Sequence, residues 1–251
     1  PEFEDGTEIP GDLSGELELK NIRFGYDDNP VLDGINLHIR SGEYIGIVGP
    51  SGCGKSTLFK LLLGFEKPQS GKIFYDSRDM ESMDKRELRK NLGVVLQDGG
   101  LIPGSIYENI TITAPNITYN RVKEIAAAVG LEKDIDEMPM GLHTLIGDES
   151  ATLSGGQIQR ILIARAIAAN HKILLFDEAT SALDNITQTK VCKSLDSMNV
   201  TRVVIAHRLS TVIGCDRIIV LNNGKIEEEG TFEQLMKKDG YFKKTAERQI
   251  I

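Results

Sequence analysis

Residues 49–56 read GPSGCGKS, and that spacing of glycines, lysine and serine is suited to holding phosphate. Gly49, Gly52 and Gly54 admit backbone dihedrals closed to other residues, so successive N–H groups can turn inward as an anion nest. Lys55 brings an ammonium for the β and γ oxygens of a nucleotide, and Ser56 a hydroxyl for Mg²⁺. Pro50, Ser51, Cys53 and Thr57 complete the loop and its entry into a helix. Cys53 lies beside Lys55 at a helix start, surroundings that favour thiolate, although a tolerated small residue is the simpler reading.

Three further stretches end in chemistry. ILLFDE at 173–178 is an apolar run closing on two carboxylates, and in α/β sheets ligands bind at such strand ends. Asp177 is placed to hold Mg²⁺ through its water shell and Glu178 to orient an attacking water, the alternative being a solvated turn or helix cap. Gln97 ends GVVLQ and His207 ends VVIAH in the same manner. Gln97 offers an amide oxygen toward Mg²⁺ or water, and His207 a hydrogen bond to a terminal phosphate. Read singly, these two are a polar strand terminator and a structural histidine. Leu153, Ser154, Gly155, Gly156 and Gln157 spell LSGGQ at the head of a predicted helix. That is either a plain N-cap or a second helix N-terminus able to receive an anion.

Stepping outward, residues 44–48 form an apolar run suited to a buried strand and 56–63 a helix, so the phosphate loop bridges the two. Before it, Leu17 and Leu19, Ile22 and Phe24, then Ile35, Leu37 and Ile39 alternate with polar neighbours as half-buried antiparallel strands do. After it, 72–75 and 92–96 predict strands, and 85–90 a short helix with Asp84 as N-cap. From 104 to 170 only helical stretches stand out, around 106–110, 121–129 and 157–169. Strands resume at 173–176, 202–206 and 217–221, spaced as in a parallel sheet. Asn222, Asn223 and Gly224 mark a hairpin, Thr231 a helix cap, and the last residues a helix.

The chain has 251 residues, 40% hydrophobic content and net charge −8, enough for an ordinary core and unfavourable to a broad nucleic-acid footprint. Its three cysteines, Cys53, Cys192 and Cys215, predict neither a disulfide framework nor a zinc site, as in a reducing compartment. No run approaches 18 apolar residues and no signal-peptide pattern appears, so a soluble, cytosolic chain is expected. Residues 1–15, rich in acid, Pro and Gly, read as a linker, and Pro at position 1 points to a fragment of something longer.

Taken together, GPSGCGKS, Gln97, LSGGQ, ILLFDE, SALD at 181–184 and His207 resemble the nucleotide-binding domain of ATP-binding cassette exporters, over the chain from about residue 16 onward. The resemblance implies an α/β fold. Its parts are a P-loop NTPase core with a mostly parallel sheet, an antiparallel β subdomain and a helical subdomain inserted at about 98–170. It implies ATP hydrolysis with Mg²⁺ held by Ser56, Gln97 and Asp177, and with Lys55, Glu178 and His207 catalytic. Two such domains would pack head to tail, so that Ser154, Gly155 and Gln157 of one complete the ATP site on the loop of the other. Asp184 would cross that interface, and Tyr26 matches the aromatic that stacks on adenine. Transmembrane domains would be the driven partners, with this domain at the cytoplasmic face of the membrane and no nucleic acid involved. GSIYENI at 104–110 is similar to the segment exporters carry after the glutamine loop, and Gly147 and Asp148 to their membrane-contact loop. Glu149 and Ser150 depart from the exporter pattern there. Within the exporters, the wording resembles those of bacteriocins with nitrile-hydratase-like leader peptides. A soluble cassette ATPase acting on DNA or ribosomes is the rival, and it should show a coiled-coil insertion or a second cassette.

Overall fold

The computed structural model describes residues 6–27, 29–147, 153–180, 182–206 and 208–250. The chain divides into two compact units, Pro1–Asn91 with Thr201–Ile251, and Leu92–Val200. His207, Asp148, Glu149, Ser150 and Ser181, with the leader before residue 6, lie outside the described residues.

Unit one opens with β1 (Leu17–Tyr26) and β2 (Asn29–Ile39), paired antiparallel. In β1 the apolar alternation skips a beat between Leu19 and Ile22. A register shift lies there, with Asn21 at φ 50°, and this bulge keeps Leu17, Leu19, Ile22 and Phe24 all on the buried side. Next come β3 (Tyr44–Val48), the phosphate loop and α1 (Lys55–Leu62). β4 (Ser70–Tyr75) and β5 (Arg78–Asp79) complete a sheet in the order β2-β1-β4-β5, and Asp84 caps the short α2 (Lys85–Arg89).

Unit two carries β6 (Leu92–Val95), β7 (Gly104–Ser105), α3 (Ile106–Thr111), α4 (Tyr119–Ala128), α5 (Glu132–Glu137), β8 (Leu145–Ile146), α6 (Gly155–Ala168), β9 (Ile173–Asp177) and α7 (Asn185–Asp196). β6 runs parallel to β9, with Val95 opposite Phe176, so the segments holding Gln97 and Glu178 leave this pair at the same edge. Helix α6 packs against α3, α4 and β6 and buries Ile161, Ile163 and Ala164 completely. Two features were absent from the sequence reading. The helix α5 buries only Ile135, so its sequence EKDIDE shows no apolar period, and the β7–β8 pair is two residues long, too short for alternation to register.

The chain returns to unit one with β10 (Thr201–Ile205), α8 (Leu209–Val212), β11 (Arg217–Asn222), β12 (Lys225–Gly230), α9 (Phe232–Lys237) and α10 (Tyr241–Ile250). Here β3 lies between β10 and β11 and is parallel to both, while β12 is antiparallel to β11. The cores of β3, β10 and β11 are apolar and buried, as expected for strands covered on both faces, with Thr201 and Arg202 opening β10 and Arg217 and Asn222 at the ends of β11. The hairpin between β11 and β12 turns on Asn223 and Gly224, both at positive φ, and Thr231 with Gln234 closes a capping box on α9.

Residues 8–16 run along unit one. The Glu8 amide donates to the Ser82 carbonyl at 3.0 Å and the Asp84 amide to the Glu8 carbonyl at 2.9 Å, and Leu13 is buried. The Asp76 carboxylate accepts from the Ser14 amide (2.6 Å) and hydroxyl (2.7 Å), the Gly15 amide (3.1 Å) and the Glu16 amide (2.9 Å). Partial burial pushes this carboxyl up, but the hydrogen bonds outweigh burial and hold it below its ordinary value. A folded-state pKa below the unfolded one stabilises above the unfolded value of about 3.9, and that contribution is lost as pH falls through the folded pKa. Asp76→Ala should therefore cost about 1 kcal/mol in urea unfolding at pH 7. Its deficit relative to the parent should shrink once the pH is below about 3.9.

Candidate functional site

Unit one contributes a helix start with no cap. Six other helices begin on a side chain that accepts from their first amides: Asp84, Ser105, Thr118, Ser154, Asp184 and Thr231. The eight-residue α1 begins on Gly54 at φ 108°, with no capping side chain and no acid in its first turn. Its leading N–H groups and the positive end of its dipole are thus available to an anion. The glycines before it are needed for different reasons. A Cβ on Gly52 would meet nothing within 4 Å, but its φ of 77° disfavours a side chain. A Cβ on Gly49 would lie 2.0 Å from the Leu221 carbonyl oxygen.

The Lys55 ammonium donates to the carbonyls of Gly49 and Pro50, both at 2.9 Å, so the loop closes around its lysine. The Ser56 side chain is exposed, and Thr57 is half-buried. Cys53 fits the simpler of its two readings: it is buried, and burial pushes its thiol up against the opposing pull of Lys55 Nζ, 3.8 Å away. The thiolate favoured by its sequence neighbours is not favoured by its packing. Tyr26 stands at the end of β1, braced edge-on by Phe24 at 5.0 Å between ring centroids, with Lys60 Nζ 5.8 Å from its ring centre. It is 40% exposed, which leaves ring surface for a flat ligand.

Unit two carries the other candidate groups. Gln97 is exposed in a turn two residues past β6, rather than at the last strand residue. Asp177 is the buried last residue of β9, and Glu178 follows it half-buried at φ 54°, a left-handed conformation costly for a side chain with a Cβ. At the head of α6, the exposed Ser154 accepts from the Gln157 amide at 3.2 Å, while Gln157 Oε1 accepts from the Ser154 amide at 2.8 Å. Gln157 Nε2 donates to Asp134 Oδ1 at 2.7 Å, and Arg160 pairs with Asp134 Oδ2 at 2.7 Å. The amide of Gln157 is thus engaged within its own chain, by a carboxylate that α5 carries. Leu153 is half-buried just before this turn. Asp184 caps α7, accepting from Thr187 Oγ1 at 2.7 Å and from the amides of Ile186 and Thr187, and these bonds hold its carboxyl below the ordinary range.

Sequence reasoning missed the residues that hold this machinery. Asn109, fully buried, accepts from the Ile102 amide and donates to the carbonyls of Ile102 and Ser105, while Arg165 binds its carbonyl and side-chain oxygen. Together they shape the loop between β6 and α3. Its only sequence signal was an Asn within GSIYENI, a segment noted for its resemblance and not for that residue.

A family model described as ABC transporter matches residues 32–181. The chain belongs to the ABC transporter family. The alpha-hemolysin translocation ATP-binding protein HlyB of Escherichia coli O157:H7 is 45% identical over 246 residues, covering 96% of this chain and 35% of that protein. The leukotoxin translocation ATP-binding protein LktB of Mannheimia haemolytica is 46% identical over 229 residues, 90% of this chain and 32% of its own. A bacterial Atm1-family ABC exporter with ATP bound superposes with a TM-score of 0.90 at 34% identity, over 98% of this chain and 45% of that one. This chain thus spans about a third of the length of the curated relatives it matches. It is a domain of this family, and its mixed α/β fold is that of an ABC exporter.

The two glycines predict separable defects. Gly49→Ala should lower the melting temperature markedly, because backbone must shift, whereas Gly52→Ala should fold close to normally. Both should weaken ATP binding, and a fluorescent nucleotide titration beside thermal unfolding checks each.

Proposed function

We propose that this domain is the motor of an exporter, hydrolysing ATP in a site that two copies complete. The observation that carries the reading is the contrast between two helix starts. The N-terminus of α1 is uncapped, while α6 is capped by an exposed serine whose hydroxyl accepts from within and keeps its proton to donate outward. On this reading the amides of 49–57 and Lys55 hold the β and γ phosphates and Tyr26 stacks on the adenine. Ser154, Gly155 and Gln157 of a second copy then reach the γ-phosphate from the other side, with Leu153 and Gly156 shaping that turn. Asp134 holds Gln157 in its place, and Asp184 lies beside this contact.

Hard oxygen donors suit Mg²⁺, and Ser56, Gln97 and Asp177 are of that kind. Among the described residues no cluster of three His, Cys, Asp or Glu stands ready for a metal, so nucleotide oxygens must supply much of the coordination. When bound, Mg²⁺ offsets charge on the β and γ oxygens. Glu178 accepts hydrogen bonds from the attacking water and polarises it, and His207 donates to the terminal phosphate.

The names of HlyB and LktB support export of a peptide or protein. Within that class we favour a bacteriocin-like peptide as cargo, on the sequence wording alone. Among the described residues no helix is long and apolar enough to cross a membrane, so transmembrane domains would supply the path, with this domain on their cytoplasmic face. The translocator relatives weigh against the rival of a soluble ATPase on DNA or ribosomes.

Glu178→Gln should abolish steady-state phosphate release while ATP binding persists and dimer accumulates in sizing chromatography. Release at the parent rate would remove Glu178 as the water-activating group. Ser154→Ala should lower turnover by at least about ten-fold with little change in ATP affinity of the monomer, and equal losses in both would contradict a shared site.

A further inference from the structure

We infer that Gln159 is a positioning residue for Glu178, strapping the turn that carries the carboxylate to the helix that begins at Ser154. The inference rests on the reading of Glu178 as the group that activates water. Gln159 lies on the second turn of α6, and its amide uses both ends. Nε2 donates to the Glu178 carbonyl at 3.3 Å, and Oε1 accepts from the Ala182 amide at 2.8 Å. One side chain therefore spans the turn from its second residue after Phe176 to the approach of α7.

That turn needs holding. Glu178 sits at φ 54°, a conformation that persists only where the surroundings over-determine it. A hydrogen bond to its own carbonyl orients the peptide plane that follows and so limits the directions its carboxylate can take. The same turn also rests on the first residues of α6. A Cβ on Gly155 would stand 3.7 Å from Ala182 Cβ, and one on Gly156 3.2 Å from the Ala182 carbonyl oxygen. The contact at Gly155 is ordinary, whereas the bare backbone at Gly156 lets the turn lie close against the helix, and Gln159 fastens it there.

A helix transmits displacement along its axis as a nearly rigid rod. Whatever the Ser154 end of α6 engages is thus felt at Gln159, and through it at the backbone of Glu178. On this inference the aim of the carboxylate depends on what the LSGGQ turn at 153–157 of its own chain has bound.

The test is Gln159→Met, which keeps length and volume and removes both hydrogen bonds, assayed in the 251-residue chain. The expected result is a kcat lower by about five- to ten-fold, with KM for ATP within about two-fold of the parent. In a Glu178→Gln background, single-turnover hydrolysis should show no additional loss from Gln159→Met, because the residue acts through that carboxylate. An unchanged kcat, or an undiminished loss in the Glu178→Gln background, overturns the inference and leaves the role of Glu178 standing. Parent-rate hydrolysis by Glu178→Gln alone overturns the role of Glu178 instead. Should Gln159→Met fail to fold, Gln159→Glu retains the oxygen that takes the Ala182 amide and loses the donor to Glu178. It should show the same fall in kcat, and parent-like turnover would contradict the strap.

Discussion

A nucleotide triphosphate is a polyanion, and this chain carries a net charge of −8. Long-range attraction cannot gather such a ligand, so it must be held by dipoles fixed at short range. That constraint selects the architecture. Backbone N–H groups converge only where glycines release the dihedrals, and they stay converged only when anchored on one side by a buried strand and on the other by a helix. Strand β3 and helix α1 are those anchors, and α1, unlike α4, α6 and α7, begins without a side chain spending its first amides. Lys55, folded onto the carbonyls of Gly49 and Pro50, adds one cation where the dipoles already point.

The second unit solves a different problem, that of aiming side chains rather than amides. Its α6 is seated through fully buried Ile161, Ile163 and Ala164, then oriented by polar ties on two sides. On one, Asp134 binds both Gln157 and Arg160; on the other, Gln159 binds the backbone at Glu178 and Ala182. The loop after β6 is organised by buried Asn109 and by Arg165, which itself projects from α6. One helix therefore stands at the centre of the loop that carries Gln97, the LSGGQ turn and the turn that carries Glu178. On the proposed function, three parts of the site then depend on the position of a single helix.

What the sequence disclosed follows the same physics. The phosphate loop was legible because its demand is on the backbone, and a demand on the backbone is written as glycine. The bulge in β1 was not read, because Leu17, Leu19, Ile22 and Phe24 pass for plain alternation until the pairing with β2 shows the shift after Leu19. Caps at Asp84 and Thr231 could be read because the capping partners lie two or three residues away. Gln159 could not, since its partners are backbone atoms 19 and 23 positions distant and a glutamine on a helix announces nothing. Nor could α5, whose purpose is one carboxylate rather than an apolar face. At Cys53 the sequence neighbours favour a thiolate and burial disfavours it, which leaves the simpler reading of a small packed residue.

On the proposed function, hydrolysis takes place in a site no single copy completes. The most direct test is the specific rate of ATP hydrolysis by the unmodified domain as a function of its own concentration, at saturating ATP and Mg²⁺. A shared site predicts a rate per molecule that rises with concentration and levels off as pairs form. A rate per molecule that stays constant down to concentrations where sizing shows only monomer would contradict the account.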